Sequence, residues 1–241
     1  MPQNSPYSGK IKIFLDGADK AAMLEGAKNK LIQGFTTNPT LMKKSGVTDY
    51  QAFSKDLLTQ IKDKPISFEV FADDFKEMKR QAMEIAGWGS NVYVKIPVTN
   101  SEGLSCAPLI NELAHQKVRL NVTAILTVPQ VIEVCQALKG GAPSIVSVFA
   151  GRIADTGRDP LPLMQASLEV CQTADKNIEL LWASSRELLN VVQADQMGCQ
   201  IITVTQDIVK KMAMLNKDLT QLSLETVRMF KTDADSAGFK L

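Results

Sequence analysis

The sequence predicts an α/β protein, a single (β/α)8 barrel carrying an additional C-terminal helix. Three observations lead there. Eight short apolar runs of strand length follow one another along the chain. They start about 22–34 residues apart, which leaves room for one helix and two short loops between neighbours. No linker, repeat or low-complexity stretch interrupts the alternation, so it belongs to one domain. An open doubly wound sheet, the competing architecture, usually announces itself by a glycine-rich GxGxxG turn after the first strand, and here that turn reads DGADK.

Residues 1–10 are polar and read as a flexible tail, with the barrel domain occupying 11–241. The strand runs are KIFLD (12–16), GFTT (34–37), ISFEVF (66–71), NVYVKI (91–96), LNVTAI (120–125), SIVSVF (144–149), IELLWAS (178–184) and IITVT (201–205). They are rich in Val, Ile and Phe, which suit a pleated, buried surface. The segments between them carry helix signals. Asp73 and Asp74 precede Phe75, Met78, Ala82 and Ile85 at helical spacing, with Gly87 as a stop. Pro108 delays or kinks the helix expected within 101–114. Asp159-Pro160 reads as an N-cap followed by proline at the first helical position, ahead of Met164, Leu168 and Cys171. Ser184-Ser185 can cap a helix bearing Leu188, Leu189 and Val192 that stops near Gly198. A last helix, from about Leu219 to Phe230, has no strand after it.

Composition narrows the function. Of 241 residues, 45% are hydrophobic and 22% charged, enough for a full core. Lys and Arg number 27 against 26 Asp and Glu, for a net charge of +1. That balance gives no global field to attract nucleic acid or an anionic membrane, so a bound anion must be held by a local cluster. The N-terminus lacks an apolar signal core and no apolar run is long enough to span a bilayer, so a cytoplasmic protein is expected. Cys106, Cys135, Cys171 and Cys199 are widely spaced and read as buried free thiols. The single histidine, His115, excludes a His-rich metal site and reads as a surface residue at a helix end.

The ends of the strand runs are polar: Asp16, Thr37-Asn38, Glu69, Lys95, Asn121 with Thr123, Ser147, Ser184 and Thr205. In a barrel these ends converge on one mouth. Any one of them is expected where a strand meets water. Eight in succession, with two carboxylates and a lysine inside strand-like sequence, point to a site. Lys95 lies in VYVKIPV, where a lysine either snorkels to water or is a working amine. Burial lowers an ammonium pKa by up to about 3–5 units, and a neutral amine can condense with a carbonyl to form a Schiff base. On a carbohydrate that chemistry needs two further proton-transfer groups. Asp16 and Glu69 supply two carboxylates, or else pair with Lys95 or an arginine. Asn38, Asn121, Thr123 and Ser147 offer donors and acceptors to sugar hydroxyls, or else satisfy strand-end backbone. Arg152 and Arg186 follow the sixth and seventh strands near helix starts, with Ser184 beside Arg186. Together they suit a phosphate, with surface ion pairing as the alternative and as the expected role of Arg158.

In these residues the chain resembles the transaldolase family. LDGAD, GFTTNPTL, VYVKIPVT, NVTAILT, SVFAGRIADTGRDP and WASSRE resemble the family's blocks in the family's order, across residues 12–187. The resemblance implies a class I aldolase barrel with neither metal nor cofactor, acting on sugar phosphates in the pentose phosphate pathway. By matching block, Lys95 corresponds to the Schiff-base lysine and Asp16 to the aspartate handling the hydroxyl proton in cleavage. Glu69 corresponds to the glutamate that drives Schiff-base formation and release through a water held with Thr123. Asn38, Asn121 and Ser147 correspond to donor-hydroxyl contacts, Arg152, Ser184 and Arg186 to phosphate contacts, and Phe149 to an aromatic wall. The implied reaction transfers a dihydroxyacetone unit from a ketose phosphate to an aldose phosphate. Fructose-6-phosphate aldolase, the related activity, releases free dihydroxyacetone. It usually carries glutamine in place of Glu69 and tyrosine in place of Phe149, so both positions side with transaldolase. A sulfosugar donor is a further alternative, since a sulfonate could occupy the arginine seat. Outside this chemistry stand a non-catalytic sugar-phosphate-binding barrel and a pyridoxal-phosphate lysine enzyme. The stretch 215–241 is unmatched by these blocks. Short relatives assemble into rings and long ones into dimers, so a homo-oligomer is implied, its size open.

Overall fold

A computed structural model describes residues 7–240. The expected tail falls largely on residues 1–6, outside the described residues. By its contacts the chain divides into two units, residues 9–209 and a second that includes residues 210–240. The first is the barrel. Its strands are β1 (Lys12–Asp16), β2 (Ile32–Thr36), β3 (Ile66–Glu69), β4 (Val92–Pro97), β5 (Leu120–Ile125), β6 (Ser144–Val148), β7 (Ile178–Trp182) and β8 (Ile201–Val204). Each pairs in parallel with the next, and β8 pairs with β1 to close the ring. The connecting helices are α1 (Lys20–Lys28), α2 (Pro39–Lys44), α3 (Tyr50–Gln60), α4 (Phe75–Ala86), α5 (Ala107–His115), α6 (Val128–Leu138), α7 (Ala150–Ala154), α8 (Leu161–Ala174), α9 (Leu189–Gln196) and α10 (Gln206–Lys211).

Several predicted runs outlast their strands. GFTT, ISFEVF, SIVSVF, IELLWAS and IITVT end one or two residues late, because their last residues are the loops at the mouth. Side-chain caps explain half of these starts. Asp19, Asn38, Asp49, Asp74 and Thr127 each accept a bond from a backbone N–H in the first turn. α4 buries Met78, Ala82 and Ile85, and Gly87 follows its end as expected. α5 starts late, with Pro108 in its first turn. α8 begins one residue later than expected: Pro160, not Asp159, is its N-cap residue and Leu161 its first, although Asp159 Oδ1 still accepts from Leu161 N–H at 3.0 Å. The prediction for α9 needs correcting. Neither Ser184 nor Ser185 caps it; it starts at Leu189 and buries Val191 and Ala194, leaving Leu189 exposed. The later start changes which residues face the barrel.

Inside the ring, side chains alternate with period two. Phe14, Ile145, Leu181, Ala183 and Ile201 form an apolar cluster, with Tyr93 and Phe149 packed against it. Gly34 makes room for it: a Cβ there would come within 2.5 Å of the Phe14 ring. Each large apolar side chain fully withdrawn from water contributes about 1.5–3 kcal/mol, and the ring closed over this cluster gives the mouth a rigid floor. All four cysteines are free and buried. Cys135 and Cys171 place their sulfurs 3.7 Å apart, a thiol hydrogen bond and too long for a disulfide.

In the second unit, α11 (Leu219–Ala237) is capped by Asp218 and ends at Gly238, whose φ is +67°. It runs seven residues past the expected end at Phe230, since no glycine or proline intervenes and Lys231 pairs with Asp235 one turn on at 2.5 Å. None of its residues is buried. Among the described residues no helix is long and apolar enough to cross a membrane.

Candidate active site

The sheet register brings the central pair together. Glu69 on β3 lies opposite Lys95 on β4, and Lys95 lies opposite Asn121 on β5. Opposed residues on neighbouring strands point to the same side about 5 Å apart, so all three face the interior. Lys95 is 7% exposed, and its Nζ lies 3.3 Å from Glu69 Oε2. Nζ also donates to the Thr37 carbonyl at 3.0 Å. The lysine therefore does not snorkel outward.

Asp16 ends β1 beside this pair. Burial pushes its carboxyl pKa upward, opposed by the Lys95 charge and by a hydrogen bond from Thr36. Thr36 Oγ1 donates to Asp16 Oδ1 at 2.7 Å and lies 2.6 Å from Thr203 Oγ1. On the other flank Ser147 donates to Asn121 Oδ1 at 2.6 Å, and Asn121 Nδ2 donates to Ser67 Oγ at 2.9 Å. This chain of bonds orients the amide across three strands. Thr123 points inward two residues beyond Asn121; it is buried, and its hydroxyl has no hydrogen-bond partner among the described residues. After it the register of β5 slips and Ala124 adopts φ +62°, a left-handed conformation that costs a non-glycine residue about 1–3 kcal/mol.

The remaining candidates sit around the rim. Asn38 caps α2 through Oδ1, which accepts from Leu41 N–H at 3.0 Å. Its backbone role is thus real, and its amide nitrogen is left over. Phe149 follows β6 and is half-buried, with the Arg152 guanidinium 5.3 Å from its ring centre. Ser184 follows β7 with φ +64°. A Cβ on Gly151 would land on the Ser184 carbonyl oxygen, so only glycine lets β6 and β7 loops approach this closely. Arg186 is exposed and holds Asp155 through two nitrogens, Nε at 3.0 Å and Nη2 at 2.5 Å. That bond lowers the Asp155 pKa, with the Arg152 charge adding to it. Surface pairing, the bland alternative for these arginines, is therefore what Arg186 shows, on the same face as Arg152. Arg158, expected in an ion pair, instead donates to Thr156 Oγ1 at 2.8 Å. His115 is exposed at the end of α5, its Nδ1 2.9 Å from the Asn111 carbonyl. Thr205 is exposed, and Thr203 takes the inward place on β8.

Thr36, Ser67 and Thr203 escaped the sequence reading. Ser67 and Thr203 lie inside their strands and Thr36 closes β2 next to the more polar Thr37-Asn38, and small hydroxyls within apolar runs give little local signal. Their inward alternation with Phe14, Asp16 and Ile201 was the available clue. Among the described residues no group of three or more His, Cys, Asp or Glu side chains could hold a metal ion.

Fold and site together define a (β/α)8 barrel whose polar centre, a buried lysine between carboxylates, lies at the carboxyl ends of its strands. Residues 13–241 match the family described as transaldolase/fructose-6-phosphate aldolase. The chain is 36% identical over 231 residues to a probable transaldolase of Thermoanaerobacter sp. (strain X514), covering 96% of this chain and 100% of that protein. A probable transaldolase of Dehalococcoides mccartyi is 36% identical over 84% of this chain and 90% of its own. One of Streptococcus pyogenes serotype M5 is 34% identical over 95% and 100%. The chain belongs to the transaldolase/fructose-6-phosphate aldolase family. The family match also runs through 215–241, the stretch that the recognisable blocks left out. Those blocks are mouth loops and strand ends, whereas the C-terminal helix carries no site motif.

Proposed function

We propose that the protein is a transaldolase that moves a dihydroxyacetone unit from a ketose phosphate to an aldose phosphate through a Schiff base on Lys95. The observation that carries this reading is Lys95 buried in the mouth, 3.3 Å from Glu69 and within the field of Asp16. Lys95 passes its proton to Glu69, and the neutral Nζ adds to the donor's C2 carbonyl. Glu69, with a water held by Thr123, returns protons as water leaves and the iminium forms. Asp16 then takes the proton of the C4 hydroxyl, the C3–C4 bond breaks, and its electron pair enters the iminium to give an enamine. An aldose phosphate departs. The enamine carbon attacks the aldehyde of the incoming acceptor, Asp16 returns the proton, and water releases the new ketose phosphate from Lys95. A carboxyl whose pKa is raised by burial is a stronger base for the first of these transfers and keeps the proton it has taken until the second. Asn38, Asn121 and Ser147 bind the donor's hydroxyls, Phe149 walls the site, and Arg152, Ser184 and Arg186 seat the phosphate.

Borohydride added with fructose 6-phosphate tests the covalent step. Trapping should mark Lys95 in the wild type and vanish in Lys95→Met; an untrapped wild type would sink the mechanism. Supplying erythrose 4-phosphate tests the transfer. Sedoheptulose 7-phosphate should form, with little free dihydroxyacetone when the acceptor is withheld. Rapid release without acceptor would instead support the aldolase activity.

A further inference from the structure

Beyond the residues named so far, we infer that Tyr50, on the first turn of α3, is a positioning residue that fixes Glu69 and frees the carbonyl that holds Lys95. This rests on the Lys95–Glu69 reading above.

β2 and β3 pair only at Phe35 with Ile66 and Thr36 with Ser67. Two further bonds mark the ladder: Phe35 N–H to the Pro65 carbonyl at 2.8 Å and Thr37 N–H to the Ser67 carbonyl at 3.2 Å. A parallel ladder continued one step would send Glu69 N–H to the Thr37 carbonyl. It does not. The Thr37 carbonyl accepts from Lys95 Nζ, and Glu69 N–H donates to the Tyr50 hydroxyl oxygen at 2.7 Å. The same hydroxyl donates to the Glu69 carbonyl at 3.1 Å. One phenol thus stands in for the missing length of strand on both backbone groups of the residue that faces Lys95.

The hydroxyl can do this because it is both donor and acceptor. Burial, first of all, and the Glu69 charge push the phenol pKa upward, which keeps its proton in place. The ring is held edge-on by Phe71, with centres 4.4 Å apart, and by Phe68 at 6.2 Å, with Trp88 at 5.9 Å. Tyr50 follows Asp49, the N-cap of α3, so the phenol is anchored on a capped helix start. Glu69 and Lys95 must meet within a few tenths of an ångström for proton transfer, and a 1 Å misplacement can cost about 100-fold in rate.

The experiment compares wild type, Tyr50→Phe, and a chain with para-aminophenylalanine at position 50, whose amine keeps a donor and a weak acceptor in place. Rates of borohydride trapping with fructose 6-phosphate, and kcat and KM separately, are measured, and each variant is repeated in Glu69→Gln. Expected are a fall of about 10–100-fold in trapping rate and kcat for Tyr50→Phe with KM little changed, recovery in the amine variant, and no additional loss in the Glu69→Gln background. Equal trapping rates and kcat in wild type and Tyr50→Phe overturn the assignment. So do losses that multiply with those of Glu69→Gln, or, should Tyr50→Phe fail to fold, a folded amine variant trapped no faster than Glu69→Gln. Absence of trapping in the wild type overturns the Schiff-base reading, and the assignment falls with it.

Discussion

The two halves of the barrel mouth are built differently. On the β1–β5 side the polar residues are withdrawn from water and bonded to one another: Asp16 to Thr36, Lys95 to Glu69 and the Thr37 carbonyl, Asn121 to Ser67 and Ser147. On the β6–β7 side the charged residues stand in solvent, with Arg186 on Asp155 and Arg152 over Phe149. The difference suits the roles proposed for the two halves. Proton transfer and covalent attack need charges that feel one another strongly, which low dielectric provides. Capturing a dianion from solution needs cations it can reach, whose bonds to a resident carboxylate are weak enough to exchange.

The comparison predicts effects of different size and kind. Asp16→Asn should show the largest, a fall of about 10²–10⁴-fold in kcat, the range for a lost proton-transfer group. Because burial raises the Asp16 pKa, its charged form is disfavoured in the folded state. Its contribution to stability is therefore best at low pH and declines as pH rises from the ordinary aspartate value through the raised one. Removing that charge should leave Tm at neutral pH unchanged or higher, at about 2–4 °C for each kcal/mol recovered. A large drop in Tm would show that the carboxylate is there for stability. Arg186→Gln should act on binding instead: KM for phosphorylated donors should rise about 10–100-fold, the worth of one or two charge-assisted bonds, with kcat little altered. Dihydroxyacetone or fructose as donor should be insensitive to it; equal losses for both donors would break the division between the halves. The smallest effect is expected for Thr36→Val. Losing the hydrogen bond that lowers the Asp16 pKa should move the acid limb of kcat to higher pH, with the plateau rate nearly kept. An unmoved limb in a pH-rate profile would remove Asp16 from the titration.

How far the site could be read from the sequence differed residue by residue. Lys95, Glu69 and Asp16 were visible because a charged residue within Val- and Ile-rich sequence is anomalous by itself. Their mutual placement, Glu69 against Lys95 with Asp16 close by, follows from strand register, which closure of the ring decides and no local pattern encodes. Thr36, Ser67 and Thr203 are unremarkable threonines and serines until closure turns them inward. Tyr50 lies 19 residues from Glu69, on a different element, and only the early departure of β2 gives its hydroxyl work. Ser184 offered a plausible helix cap by residue type, yet the close approach of Gly151 draws it into a left-handed loop instead.

Sequence by itself therefore determined the alternation of strands and helices, the cap at Asp74 and the polar character of the strand ends, all of which depend on residues within one or two turns of one another. Tertiary structure alone decided which ends became neighbours, which carbonyl was left for Lys95 and which arginine met Asp155. Those outcomes depend on the pairing of strands tens of residues apart, and free energy there is set by how the whole ring closes, not by any single segment.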